Sequence, residues 1–180
     1  MASKAKYVLL LAALASGGRL LATAQGSDQK TLPGARNYTR VDATVACGGA
    51  ITLEAVPELK RQGFAAVINF RLASEPDANV EAEGEAVRRA GLKYIHLPFD
   101  AAAPDTRTVE AFLNAVVEPA NQPVFIHCGS ANRVGGMWLI KRVLIDGWNL
   151  DKALAEAEAI GLSNPALRQF ALDYITAHTK

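Results

Sequence analysis

Short apolar runs rich in β-forming residues alternate along this chain with stretches where apolar residues recur every three or four positions. The runs are Thr44 to Cys47, Ala65 to Phe70 (AAVINF), Lys93 to Leu97 (KYIHL) and Val124 to Ile126, and each reads as a buried strand. Between them lie helical patterns with recognisable ends. Thr52 can cap a helix running to about Gln62, with Pro57 in its first turns and Gly63 just past its end. Asn79 can cap a second, which sets Val80, Gly84, Val87 and Ala90 on one face and stops at Gly91. From Thr106 to Val117 a third helix turns Val109, Phe112, Leu113 and Val116 inward. After the last strand come a helix to about Ile145, one from Leu150 to Ala159 and one from Pro165. Strands alternating with helices predict a single α/β domain, a mostly parallel sheet flanked by helices on both faces.

The start of the chain breaks this rhythm. Lys4 and Lys6 precede a short apolar run, Tyr7 to Ala15, and Ala22-Thr23-Ala24 has the small-x-small form of a cleavage site. Gly17, Gly18 and Arg19 interrupt the run, which is too short to span a bilayer. Residues 1–24 therefore read as a signal peptide, residues 25–40 as a flexible polar lead-in, and residues 41–180 as the domain. A periplasmic or secreted location follows, with no stable membrane insertion once the signal is removed. The net charge of the 180 residues is +1, and no basic cluster interleaves with aromatics, so nucleic acid is not an expected partner.

The chemistry concentrates in PVFIHCGSANRVGGMWL, residues 123–139. A strand ends at His127-Cys128, a tight polar turn follows, and a helix opens near Arg133. Turn amides and the positive end of the helix dipole converge there on one anion site. Gly129, Ser130, Ala131 and Asn132 supply that turn through their amides more than their side chains. Beside them a thiol, Cys128, would be ionised by the local field, and a planar guanidinium, Arg133, suits the oxygens of a tetrahedral anion. His127, at the strand end, fits orientation of the loop better than proton transfer. Cleaving an ester of such an anion needs a proton donor opposite the thiolate. Asp105 stands where a helix cap is expected, which leaves Asp100 for that role. Arg71 ends its strand at the same sheet edge, where ligands of parallel sheets bind, and two uses stay open: lining the substrate mouth, or pairing with Glu75 across the turn. Cys47 and Cys128 also allow a structural or reversible disulfide. His96, His127, His178 and the two cysteines show no metal-ligand spacing, and no cofactor is implied.

At these residues the chain resembles the cysteine-dependent protein tyrosine and dual-specificity phosphatases. VINFR with its acidic turn, YIHLPFDAAAPD, and VFIHC are similar to their small atypical bacterial branch and to the phosphatase-like domain of beta-lactamase-hydrolase-like proteins. The resemblance spans about Tyr38 to Tyr174. It implies a phosphoric monoester hydrolase acting on a phosphorylated substrate, with Cys128 as nucleophile, Arg133 as phosphate binder and Asp100 as general acid. Two departures matter. Four residues separate Cys128 from Arg133 where the phosphatases have five, and four is the spacing of rhodanese-like sulfurtransferases. Val134 stands where the phosphatases carry Ser or Thr, which helps the thiolate leave when the phosphocysteine is hydrolysed. The alternatives are therefore sulfur transfer through a Cys128 persulfide to or from a sulfur-bearing anion, or a non-catalytic module that binds phosphate or sulfate.

Overall fold

A computed structural model describes residues 31–179. The signal-peptide reading of residues 1–24 falls outside them, as do residues 25–30 of the lead-in. Five strands form one sheet: β1 (Thr39–Arg40), β2 (Val45–Gly48), β3 (Ala66–Asn69), β4 (Lys93–His96) and β5 (Val124–His127). Their spatial order is β1-β2-β5-β3-β4, with β1 antiparallel to β2 and every other pair parallel. The connecting helices are α1 (Ala55–Arg61), α2 (Val80–Arg89), α3 (Thr106–Val117), α4 (Asn132–Leu144), α5 (Leu150–Ile160) and α6 (Pro165–His178). The α/β expectation holds, and β5 lies at the centre of the sheet.

Alternation within the strands sorts the core into two layers, because successive side chains point to opposite faces. Val45, Cys47, Ala66, Ile68, Val124 and Ile126 join residues of α3 to α6 on one face. Ala46, Val67 and Phe125 join Leu59 of α1 and Val87 of α2 on the other. The parallel strands end in register at one edge, where Gly48 lies opposite His127 and His127 opposite Asn69. Backbone bonds carry that edge onward: Phe70 N–H donates to His127 O at 2.9 Å and Phe99 N–H to Phe70 O at 3.1 Å.

Three local expectations need correcting. Thr52 does not cap α1, whose N-cap position is Glu54. Asn79 holds the N-cap position of α2 but with φ 43 and no side-chain hydrogen bond, so it supplies a left-handed turn rather than a cap. The lead-in is packed from Leu32 onward. Leu32 is buried among Ala55, Val56 and Leu59 of the α1 layer, Ala35 bridges Ile51, and β1 closes the sheet edge. Its polar composition hid this, since one leucine and a two-residue strand make no periodic signal. Asp105, by contrast, caps α3 as expected, its carboxylate accepting from Arg107 N–H.

Candidate active site

Cys128 follows β5 directly, with its amide donating to Gly48 O at 3.3 Å. Three residues, Gly129, Ser130 and Ala131, carry the chain to the first turn of α4, whose leading N–H groups have no intrahelical acceptor. So short a turn requires a left-handed residue, and Ala131 takes it at φ 72. Arg133, in the first turn of α4, comes back over the loop. A Cβ at Gly129 would lie 3.5 Å from its Nη2.

The guanidinium is fixed from outside the loop. Glu75 grips it bidentately, Oε1 to Nη1 at 2.5 Å and Oε2 to Nη2 at 2.9 Å. Nη1 also donates to Phe70 O and Phe99 O, both at 3.1 Å. Of five N–H donors, the Nε–H and one on Nη2 remain for an anion. Burial alone would lower the pKa of Arg133, but the Glu75 hydrogen bond and the nearby Cys128 sulfur raise it above its ordinary value. Glu75 feels the same contacts. Burial pushes its carboxyl up, yet Arg133, the Leu72 amide and Arg71 outweigh it and hold the pKa at about 2.

Arg71 shows both of its open uses, since it lines a cleft at this edge and pairs with Glu75. Its Nε donates to Glu75 at 3.2 Å, Nη1 to Asp77 O at 3.1 Å and Nη2 to Pro76 O at 2.5 Å. These bonds shape the loop that carries Glu75, so Arg71 braces that loop with three of its five N–H donors. Asn132 departs from expectation. Its side chain matters as much as its amide, because Oδ1 accepts from the amides of Ser163 at 2.7 Å and Asn164 at 2.8 Å. The anion loop is thereby tied to the turn between α5 and α6. Ser130 contributes its carbonyl, which accepts from Asn37 Nδ2 at 3.2 Å.

His127 is buried, and its Nε2 lies 2.8 Å from Glu83 Oε1, which also accepts from Asn69 Nδ2 at 3.1 Å. The orienting role fits this placement. Neither Glu83 nor the Glu75–Arg133 pair was read from the sequence. Glu83 sits on the inward face of α2, where a carboxylate among apolar positions was the available signal. Asp100 is exposed and its Oδ1 accepts from Ala102 N–H at 2.8 Å. It directly follows Phe99, whose carbonyl accepts from Arg133, so Asp100 lies at the same sheet edge as Arg133. Both cysteines are free thiols. Burial first, and then the charges of Glu156 and Asp42, push the Cys47 pKa far up, so this core thiol is inert. Cys128 is only 1% exposed. A cleft of about 770 Å³ opens beside it past Gly129, between the 34–36 and 50–53 segments and the 76–79 loop. Among the described residues no group of three or more His, Cys, Asp or Glu could hold a metal ion.

Residues 37–145 match the family model of the beta-lactamase hydrolase-like protein, phosphatase-like domain. The chain belongs to that family. No curated protein matches it in sequence. Solved structures share its fold. A DUF442 protein from Shewanella putrefaciens CN-32 superposes with a TM-score of 0.69 at 23% identity, covering 82% of this chain and 94% of its own. The core catalytic domain of the PP-IP phosphatase SIW14 from S. cerevisiae, solved with citrate, gives 0.65 at 19%, covering 82% and 93%. TpbA of P. aeruginosa gives 0.61 at 22%, covering 82% and 92%, and has also been solved with pTyr. These likenesses establish the shared fold. No described helix of the phosphatase-like domain is long and apolar enough to cross a membrane.

Proposed function

We propose that this chain is an exported phosphatase that hydrolyses a phosphomonoester through a phosphocysteine. The observation that carries the reading is the Arg133 guanidinium, fixed by Glu75 with two N–H donors to spare beside the Cys128 sulfur. The Cys128 sulfur attacks phosphorus, forming an S–P bond as the ester P–O bond breaks. Asp100 gives the departing oxygen its proton. Arg133 and the first-turn amides of α4 take up the charge on the equatorial oxygens. Water then attacks the phosphocysteine, releasing phosphate and restoring the thiolate. Val134 is buried and offers that sulfur no proton or hydrogen bond, so this second step is the slow one.

Cys128→Ser should lower hydrolysis of an aryl phosphate by about a thousandfold or more. Unchanged activity in that variant would overturn the proposal. The four-residue spacing between Cys128 and Arg133 favours one second reading, sulfur transfer through a Cys128 persulfide. Intact mass after acid quench separates them: exposure to an aryl phosphate should leave a phosphoryl adduct on Cys128, whereas sulfur transfer would leave one added sulfur after thiosulfate. Asp100→Asn should cripple the first chemistry and spare the second. Export predicts a mature chain beginning at Gln25, which the intact mass of the secreted or periplasmic protein reads directly.

A further inference from the structure

Arg36 lies one residue ahead of the family-matched segment, and its main chain is held against the anion loop from both sides. Its N–H donates to Ala50 O at 3.1 Å, its carbonyl accepts from Gly49 N–H at 2.8 Å, and Ala50 N–H donates to Gly129 O at 2.9 Å. Packing there leaves no slack. A Cβ at Gly49 would meet Gly129 O at 3.0 Å and the Cβ of Arg36 at 3.3 Å. The side chain of Arg36 therefore starts within reach of the loop, and it lines the cleft that opens past Gly129.

Two arginines line that cleft, Arg36 and Arg71. Arg71 is buried and spends three of its five N–H donors on Glu75, Pro76 and Asp77. Arg36 is exposed, and among the described residues its guanidinium has no hydrogen-bond, ion-pair or aromatic partner. A free planar fork beside a phosphate loop suits a second anionic group, which it can hold bidentately. Two carboxylates share the cleft. Glu83 is buried and engaged by His127 and Asn69, whereas Asp77 is exposed on the 76–79 side. Asp77 repels an anion on its own wall and so confines it to the Arg36 side.

We propose that Arg36 is a specificity residue that binds a second anionic group of the substrate. The preferred substrates are then phosphomonoesters carrying a further phosphate or carboxylate. This rests on the reading of the Cys128–Arg133 loop as the phosphate site. The test is calorimetric titration of the wild type, Arg36→Ala and Arg36→Lys with phenylphosphonate, the meta and para phenylene diphosphonates, and para-carboxyphenylphosphonate. These probes need no turnover. The wild type should bind at least one two-anion probe about tenfold more tightly than phenylphosphonate, well above the statistical factor of about two. Arg36→Ala should remove that preference and Arg36→Lys keep part of it, and the larger gain names the group as phosphonate or carboxylate. Absence of any preference in the wild type, or its survival in Arg36→Ala, overturns the inference. Failure of phenylphosphonate itself to bind overturns the phosphate reading of the loop, and this inference with it.

Discussion

At the scale of single residues, Glu75 does the most with the least exposure to sequence reading. One carboxylate fixes the Arg133 fork, takes the Leu72 amide and ties down Arg71. Its pKa of about 2 lies below the usual 4.5, so the folded state favours the ionised form. The stabilisation from that group is complete above pH 4.5 and fades as pH falls toward 2. Glu75→Gln lacks this term. The melting temperature of the wild type should therefore exceed that of the variant at pH 6, and the gap should narrow as pH drops through that window. A gap independent of pH would mean that the carboxylate charge contributes nothing. Glu75→Gln should also raise KM for an aryl phosphate more than it lowers kcat, because it frees the Arg133 fork without removing it. Asn132 gives a second case. Asn132→Ala strips two amides of their acceptor in the α5–α6 turn and should cost about 1–3 kcal/mol in urea unfolding. Near-zero cost would return Asn132 to the role of a replaceable turn residue.

Elements were easier to read than the contacts between them. The span of α3, the starts of α5 and α6, and β4 and β5 to within a residue or two follow from periodicity and from Asp105 and Pro165 at helix starts. That reading also gathers Arg71, Asp100 and Cys128 on one sheet edge, since parallel strands end together. Pairings across the fold leave no local trace. Glu75 meets Arg133 across 58 residues and Glu83 meets His127 across 44, so neither appears in any window of the sequence. Packing can likewise reverse a propensity. In an open helix, Gly135→Ala would gain about 1 kcal/mol. In α4 the added methyl would fall 2.8 Å from Ala157 O and from Leu162 Cβ, and 2.9 Å from Leu162 N. Gly135→Ala should instead destabilise the protein by about 1–3 kcal/mol, measurable as a lower denaturation midpoint. A stabilised variant would mean that α4 and α5 are less tightly apposed.

For the whole molecule, the lead-in decides where the domain begins. If the chain before residue 41 contributed nothing, Leu32→Ala would be silent. Because Leu32 is buried against α1, the substitution should cost about 2–4 kcal/mol in urea unfolding. The groups assigned to the proposed reaction, meanwhile, follow the ends of β4 and β5 and sit at the head of α4. The wall carrying Arg36 comes from a stretch ahead of β1, held on by main-chain hydrogen bonds and by Leu32. Catalysis and selection are thus written in separate stretches of the gene. A few codons ahead of the sheet can be rewritten to change which molecules this fold accepts, and the bond-breaking apparatus need not change at all.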